Sequence, residues 1–376
     1  MRPFGFFVHH QGRGHAERCA ALANALPPER PVTLFSARAD IFPPLRSGIE
    51  VQTLPSLFEW QGPTPPPSGL AAHDTPETLH CAPLGWPGIR SAMAKLSGWC
   101  ATADPELLIV DVSAEIAQLA RICSVPHVCV LQHGSRSDPG HLAAYRGAVG
   151  LLAPYHEALA QPDWPDWMRT KTCFAGHVGA LPHRLDKATA RRRIGVAEKA
   201  RLALVLTGGG GSGLHTAALG VGARATPDWQ WITVGQIERD WHATEPGNLE
   251  HRGWVDEVHA YIAAADLVVS STGNTTCHDV LAAGVPWLAI PEWRYFDEQV
   301  EKARALDRAK AAHVLPYLPS SAEAWREAFA QTAKIHCAKR QTDLAKPGAD
   351  VAAGWLDALA TRCWAQPSLP RPIAAE

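Results

Sequence analysis

The sequence predicts an α/β protein with two doubly wound, parallel-sheet domains in tandem. Short apolar runs alternate with helical patterns over most of the 376 residues, and this alternation is typical of βαβ units. The candidate strands of the first half are residues 4–8, 32–35, 51–54, 107–110, 128–131 and 149–153. Those of the second half are residues 202–206, 229–234, 267–270, 287–290 and 312–315.

An internal repetition favours two similar domains over one large sheet. Each of two apolar strands leads into a helix and then a Val-Pro pair: Pro126 follows Leu107 by 19 positions, and Pro286 follows Leu267 by the same 19 positions. The chain is also longer than one ordinary core. We predict an N-terminal domain over residues 1–178, a C-terminal domain over 179–345, and a C-terminal helix and tail over 346–376 that packs back toward the first domain.

Composition excludes several classes of protein. The 35 Lys and Arg residues against 37 Asp and Glu residues give a formal net charge of -2, which does not suit a nucleic-acid partner. The nine cysteines contain no C-x-x-C pair and indicate reduced thiols. Apolar runs fall short of the roughly 20 residues of a membrane span. We therefore expect a cytoplasmic protein, for which a peripheral contact with the inner face of the membrane stays open.

A first glycine turn follows the first candidate strand. It reads His9-His10-Gln11-Gly12-Arg13-Gly14-His15 and leads into an alanine-rich helix. Such a turn brings backbone N–H groups close to a ligand, although Glu17 replaces the third glycine of the dinucleotide fingerprint. His15 is a candidate to face the ligand, with a capping or packed histidine as the alternative. Arg13 either contacts a phosphate or faces solvent.

A second glycine turn follows residues 202–206. Thr207 precedes Gly208, Gly209, Gly210, Gly211, Ser212 and Gly213. Leu214 and His215 stand where a Walker loop needs Lys and then Ser or Thr, so hydrolysis of ATP or GTP is disfavoured. The turn is interpreted as a backbone cradle for phosphate, with a plain flexible loop as the alternative.

A third glycine turn follows the strand at 267–270. The residues Gly273, Asn274, Thr275 and Thr276 come at the start of a predicted helix, whose N-terminus would point at a phosphate. Asp279 lies about one turn further along, where a carboxylate can bind both hydroxyls of a ribose.

These landmarks, taken in order, resemble the GT-B glycosyltransferases, and among them the group of the lipid II-forming N-acetylglucosaminyltransferase MurG. The resemblance rests on Ser-x-x-Gly-x-x-Thr-x-x-Asp at 270–279, preceded by Trp254-Val255-Asp256 and followed by Gly284-x-Pro286, Pro291 and Gln299. It implies two Rossmann-like domains that face each other across a cleft, an acceptor-binding domain over residues 1–178 and a nucleotide-sugar-binding domain over 179–345. In the N-terminal half only Gly12-Arg13-Gly14-His15 and the strand layout match.

The resemblance also implies roles for individual residues. The backbone of Val255 would contact the base, Thr276 and the glycines of 208–213 the diphosphate, Asp279 the ribose, and Glu298 with Gln299 the donor sugar. His15 would be the general base. The implied donor site is completed by Gly12, Gly14, Thr207, Gly208, Gly209, Gly210, Gly211, Ser212, Gly273, Asn274 and Thr275.

Two departures from the group concern the ribose contact and the acceptor. The group usually has Glu where this chain has the shorter Asp279. Where MurG has a His-Glu-Gln-Asn acceptor motif, this chain has Leu131-Gln132-His133-Gly134. The acceptor is therefore unknown, and a lipid-linked molecule, a glycan and a small metabolite all stay open. His10, Arg13 and His133 are candidate acceptor contacts.

Our hypothesis is an inverting, metal-independent glycosyltransferase that uses a nucleotide-diphosphate sugar, most simply a UDP-sugar, as co-substrate and needs no cofactor. Asp111, at the end of its strand, would orient His15 or the acceptor, and a loop cap is its alternative role. No Asp-x-Asp pair is present to hold a metal ion. Two other functions stay open: a non-hydrolysing UDP-sugar 2-epimerase, with acid and base groups from His10, His133, Asp111 and Glu298, and a non-catalytic nucleotide-sugar-binding subunit.

Overall fold

A computed structural model of the chain describes residues 1–62, 68–179, 185–208, 214–238 and 244–366. The strands are β1 Phe4–Val8, β2 Val32–Ser36, β3 Ile49–Thr53, β4 Leu107–Asp111, β5 His127–Val130, β6 Gly150–Ala153, β7 Thr172–Phe174, β8 Arg201–Leu206, β9 Leu214–His215, β10 Trp229–Val234, β11 Ile237–Glu238, β12 Leu249–His251, β13 Leu267–Ser270, β14 Trp287–Ala289 and β15 His313–Val314.

The helices are α1 Arg13–Ala25, α2 Ser68–Ala71, α3 Pro87–Ala103, α4 Ala114–Ile122, α5 Pro139–Gly147, α6 Asp166–Thr170, α7 Lys187–Ile194, α8 Thr216–Ala225, α9 Val258–Ala264, α10 Asn274–Ala283, α11 Glu298–Arg308, α12 Ala322–Ile335, α13 Ala338–Leu344 and α14 Ala349–Trp364. Short 3-10 helices cover Glu157–Leu159 and Tyr295–Asp297.

Two parallel sheets organise the described residues. The first has the strand order β3-β2-β1-β4-β5-β6-β7, and the second has the order β12-β10-β8-β13-β14-β15. Counted within each sheet, the second runs 3-2-1-4-5-6, which is the doubly wound order, and the first runs in the same order with a seventh strand added at its edge. The predicted α/β fold with two Rossmann-like sheets is confirmed. A further pair, β9 and β11, forms a separate two-stranded sheet.

The strands that sequence patterning missed are short edge strands. The runs Thr172–Phe174 and Leu249–His251 have three residues each, and they form the outer strands β7 and β12. A three-residue run shows neither a long apolar stretch nor an alternation, so periodicity does not detect it. The central strands, which are buried on both faces, were all predicted, as were the edge strands β3 and β15.

Both faces of the first sheet are covered, which explains its uninterrupted apolar strands. Phe6 and Ile109 point into a core shared with α1 and α14, whereas Phe7 and Val110 point into a second core shared with α3, α4 and α5. Successive residues of a strand face opposite sides of a sheet. Residues 6–7 and 109–110 therefore supply both cores at once.

The chain passes between the two sheets at two adjacent places. The N–H of His177 donates to the carbonyl of Lys346 at 2.8 Å, and the N–H of Gly348 donates to the carbonyl of His177 at 2.7 Å. A Cβ at residue 348 would lie 2.0 Å from the carbonyl oxygen of Ala175, so only glycine permits this close approach. The crossings lie beside the predicted domain boundaries at 178 and 345, and α14 then packs on α1 of the first sheet.

We predict that Leu356→Ala destabilises the first sheet and its helices. Leu356 of α14 is fully buried in the core that contains α1, and truncating a buried leucine costs about 2–5 kcal/mol. Val351→Ala on the exposed side of the same helix is the control and should change the free energy of unfolding by about 0.5 kcal/mol or less. Urea unfolding followed by tryptophan fluorescence measures both, and equal values for the two variants would contradict the packing of α14.

Candidate active site

The predicted site residues gather where the two sheets face each other. In a doubly wound sheet ligands bind at the carboxyl ends of the strands, at the point where the strand order reverses. That point lies between β1 and β4 in the first sheet and between β8 and β13 in the second. A cavity of about 360 Å³ spans the two sheets here and is lined by Arg13, Gly14, Arg18, Asn274, Thr275 and Asp279 among others.

Two helix N-termini meet in this cleft. A Cβ added at Gly14, in the first turn of α1, would lie 3.3 Å from Oγ1 of Thr275, in the first turn of α10. Gly12, which precedes α1, has a φ of +90°, a backbone conformation that side chains rarely adopt. Each helix N-terminus carries unpaired N–H groups and a partial positive charge. The two termini together suit a group with several negative charges, such as a diphosphate.

His15 forms a dyad with Asp111. Nδ1 of His15 lies 2.7 Å from Oδ2 of Asp111, although the two residues are 96 positions apart in the chain. An ionised carboxylate only accepts hydrogen bonds, so Nδ1 carries the proton and Nε2 is the basic nitrogen. The contact places the Asp111 carboxylate where it can orient His15, and this role stays a prediction.

Arg18 is the second hydrogen-bond partner of Asp111. Its guanidinium donates to Oδ1 of Asp111 at 2.6 Å, and both side chains are buried. Burial alone would raise the pKa of Asp111, but Arg18 and then His15 outweigh it and hold that pKa well below its usual range. Asp111 therefore stays ionised at any pH at which the enzyme would work.

Backbone strain accompanies the dyad. Val112, the residue after Asp111, has a φ of +64°, and for a β-branched residue this is a sterically unfavourable conformation. Such strain persists only where surrounding contacts hold it. Val112 directly follows the residue that contacts His15 and Arg18, so the strained backbone lies at the end of β4 beside the candidate base.

The other histidines of the first turn lie beside His15. The rings of His9 and His15 have centroids 5.2 Å apart, and the ring of His9 stacks on Phe58 at 4.5 Å. Burial, and next the charge on His15, lower the pKa of His9 to about 4. Nε2 of His10 lies 3.4 Å from Oε1 of Glu59. His9 is thus an uncharged side chain packed beside His15, and His10 contacts the segment 57–62.

At the N-terminus of α10, charged side chains surround Asn274. Its Nδ2 donates to Oε1 of Glu298 at 3.0 Å, and its Oδ1 accepts a hydrogen bond from Nζ of Lys302. The Lys302 ammonium, which is buried, lies 3.8 Å from Glu298. Lys302 therefore adds a full positive charge to the helix terminus at which Thr275 and Thr276 expose their N–H groups.

The two residues predicted for the donor sugar are placed differently. Glu298 faces the first domain, where Nη2 of Arg136 lies 3.6 Å from its Oε2. Gln299 is buried, and its Oε1 accepts hydrogen bonds from the N–H groups of Thr272 at 3.1 Å and Glu292 at 2.9 Å. Gln299 thus joins the loops after β13 and β14, and its contact with a sugar stays a prediction.

Asp279 lies on the inner side of α10. It is 7% exposed, and burial, followed by the carboxylate of Glu17, raises its pKa to about 7. The ring of His259 is 3.8 Å away through Nδ1. A carboxyl group in this position can hydrogen-bond to vicinal hydroxyls, and the ribose contact stays a prediction.

The remaining predicted residues stand as follows. Thr207 is buried, and its Oγ1 donates to the carbonyl of Val234 at 3.3 Å, while Gly208 follows at the carboxyl end of β8. Val255 packs against the core of the second sheet. Gly209, Gly210, Gly211 and Ser212 lie outside the described residues. His133 is 2% exposed and lies 2.8 Å from the carbonyl of Leu159 through Nε2, so an acceptor contact for it stays a prediction.

Three cleft residues escaped the sequence analysis: Arg18, Glu17 and Lys302. Arg18 and Glu17 belong to α1, which also carries His15. Their position within about one turn of the candidate base was the only sequence signal that could have indicated them. Lys302 lies one turn after Glu298 on α11. In each case the sequence shows a charged helical residue, and helical charge is usually solvated. Arg18 and Lys302 are distinguished only by their burial, and Glu17, which is half-buried, only by its position in the cleft.

Within the part of the chain that the structure describes, no helix has the length and apolar character needed to cross a membrane.

Comparisons with known proteins agree with this geometry. Residues 235–341 match the glycosyltransferase family 28 C-terminal domain. The UDP-N-acetylglucosamine--N-acetylmuramyl-(pentapeptide) pyrophosphoryl-undecaprenol N-acetylglucosamine transferase of Clavibacter sepedonicus is 27% identical over 258 residues, which cover 57% of this chain and 69% of that protein. The enzyme of the same name from Mycobacterium avium is 25% identical over 294 residues, 74% of this chain and 68% of the relative.

Solved structures show the same fold at lower identity. MurG of Acinetobacter baumannii has a TM-score of 0.63 at 14% identity, covering 95% of this chain and 99% of its own. The glycotransferase of kitacinnamycin has a TM-score of 0.63 at 18% identity, covering 96% of this chain and all of its own. The matched domain and the relatives support a MurG-like glycosyltransferase, and the solved structures show the GT-B fold.

Proposed function

We propose that this enzyme transfers a sugar from a UDP-sugar to a hydroxyl group of an acceptor held on the first domain, with inversion and without a metal ion. The observation that carries the proposal is the His15–Asp111–Arg18 arrangement beside the opposed N-termini of α1 and α10. A base and an anion site thus lie at the same point of one cleft. The choice of UDP rests on the names of the relatives.

His15 acts as the base in this scheme. Its Nε2 takes the proton of the acceptor hydroxyl while the oxygen attacks the anomeric carbon, and the imidazolium that forms is stabilised by Asp111 through Nδ1–H. Arg18 keeps Asp111 ionised and fixes its orientation. Attack from the side of the first domain, opposite to the departing diphosphate, inverts the anomeric centre.

The departing diphosphate gains negative charge as the glycosidic bond breaks. The N–H groups of α1 and α10 are oriented before the reaction, so they stabilise this charge without reorganisation. The Lys302 ammonium next to Asn274 supplies a cation at the place where many transferases use a metal ion. These groups support the metal-independent part of the proposal.

The acceptor and the location in the cell stay open within the proposal. The relatives named above act on an undecaprenol-linked substrate, which favours a position at the inner, cytoplasmic face of the membrane. His133 lies in the segment where this chain departs from MurG, and its Nε2 is within hydrogen-bonding distance of the carbonyl of Leu159. The acceptor of the relatives is therefore not part of the proposal.

The first experiment is a panel of nucleotide sugars offered without an acceptor, followed by thermal shift and by release of nucleoside diphosphate. A UDP-sugar should raise the melting temperature and be hydrolysed slowly. Isomerised sugar nucleotide would instead indicate the epimerase, and stabilisation without any turnover, even with acceptors, would indicate a binding subunit. Stabilisation by no donor would refute the proposal.

We predict that His15→Ala abolishes transfer but leaves donor binding nearly intact, because the base is lost while the helix N-termini remain. General-base catalysis contributes about 10²–10⁴-fold, so kcat should fall by about that factor. Donor affinity from the thermal-shift titration should change less than about threefold, equivalent to under 1 kcal/mol. The control is His73→Ala, in an exposed part of the first domain, which should leave kcat unchanged. An unchanged kcat in His15→Ala would show that His15 is not the base.

We also predict that transfer continues in excess EDTA. Lys302 and the two helix N-termini provide the positive charge that a divalent ion would otherwise supply, so added Mg²⁺ or Mn²⁺ should not raise kcat. Initial rates in chelator and with each ion measure this directly. Loss of turnover in EDTA that only Mg²⁺ or Mn²⁺ restores would show that a metal ion acts on the diphosphate.

A further inference from the structure

A compact group of metal-ligand side chains lies in the first domain, outside the catalytic dyad. His80 comes from the loop before α3, and Asp138 and His141 come from the start of α5. Nε2 of His80 is 2.6 Å from Oδ1 of Asp138, and Nδ1 of His141 is 2.5 Å from Oδ2. One ligand atom from each residue lies within 4.8 Å of the other two. We call these three residues the His80 cluster.

We propose that the His80 cluster binds a divalent transition-metal ion, with Zn²⁺ as the best fit. Two imidazole nitrogens and one carboxylate oxygen are a ligand set that Zn²⁺ accepts, with water in the fourth position. The side chains of His80 and Asp138 are 27% and 33% exposed, and that of His141 is 9% exposed. An ion can therefore enter from the solvent side and retain a water ligand there.

The ligands are held in place by independent contacts. The N–H groups of His80 and Cys81 both donate to Oε1 of Glu115, at 2.6 and 2.8 Å. Asp138 accepts the N–H of His141 at 3.1 Å and so caps α5. Ligands that are positioned before the ion arrives lose little conformational entropy on binding.

Gly140 makes room for the cluster. A Cβ at this position would lie 2.6 Å from Nε2 of His80, so a larger residue in the first turn of α5 would displace the ring. Alanine is otherwise favoured over glycine in a helix. The glycine therefore costs helix stability and permits the close approach of His80 to Asp138.

Metal binding also affects Arg136. Its Nη1 lies 2.9 Å from Nε2 of His141, and it can donate there only while that nitrogen is unprotonated. When Nδ1 binds the ion, Nε2 carries the ring proton and the Arg136 contact is lost. The guanidinium keeps the carbonyl of His133 at 3.2 Å and Oε1 of Gln132 at 3.1 Å, and it remains beside Glu298.

The site lies beneath a contact between the two domains. The ring of Phe296 has its centroid 4.8 Å from that of His141 and 5.5 Å from that of His80, and the N–H of Ser135 donates to the carbonyl of Phe296 at 2.6 Å. An ion would cross-link the His80 loop to α5 at the place where Phe296 docks. The bound ion would therefore stabilise the first domain where it contacts Phe296, and it would not touch the reacting atoms.

The test measures metal binding by the full-length, tag-free chain. The protein is stripped with dipicolinate, exchanged into chelator-free buffer, and titrated with Zn²⁺ by calorimetry and with Co²⁺ by visible absorption. We expect one ion per chain and the intense Co²⁺ bands of a four-coordinate site. Absence of stoichiometric binding would overturn the proposal and leave the cluster as a hydrogen-bonded network.

Variants locate the ion. His80→Gln and His141→Gln should weaken binding by more than about 100-fold, since even loss of an outer-shell group costs roughly 10- to 100-fold. Gly140→Ala retains every ligand but displaces His80, so it should weaken binding by at least about tenfold. His73→Gln is the control from the same loop and should leave affinity unchanged. Circular dichroism in chelator checks that each variant folds.

Equal affinity in the wild type, His80→Gln and Gly140→Ala would place the ion elsewhere and overturn the proposal. Because His80→Gln removes the cluster but not the dyad, it also separates the two metal questions. Chelator sensitivity that appears in the wild type and is absent from His80→Gln belongs to this cluster. Chelator sensitivity that persists in His80→Gln belongs to the diphosphate site.

Discussion

The buried ion pair between Asp111 and Arg18 is the interaction on which the candidate site depends. A carboxylate that is fully buried is costly unless it is paired, and here the guanidinium and the imidazole of His15 together satisfy both oxygens. The carboxylate contacts Nδ1 of His15, and Val112, the residue that follows Asp111, has a φ of +64°. The ends of β1 and β4 therefore act as one unit, although they are far apart in the chain.

The repeated doubly wound topology explains why base and anion site face each other. Each sheet reverses its strand order next to its first strand, so each presents a glycine turn and a helix N-terminus at its carboxyl edge. When the two edges are opposed, the N-termini of α1 and α10 approach within contact distance at Gly14 and Thr275. The same arrangement in one sheet alone would provide only half of a site.

Hydrogen bonds order the loops of the second domain that meet the first. The buried Gln299 joins the loops after β13 and β14 through Thr272 and Glu292, and its amide would be costly to bury unpaired. A few residues earlier in the chain, the carbonyl of Phe296 accepts the N–H of Ser135 from the first domain. The domain contact therefore has a directional hydrogen bond as well as a fixed location.

The sequence by itself determined the parallel α/β architecture, because central strands buried on both faces must be apolar throughout, and it located His15 and the turn at Gly273 through glycines that only a turn requires. Short edge strands such as Thr172–Phe174 carry no such signal. Tertiary structure alone decided that Asp111 serves His15, that Arg18 and Lys302 are buried in the cleft, and that His80 meets His141. Those contacts join residues distant in the chain, and the local sequence pattern of a helix does not encode which of its charged residues will be buried.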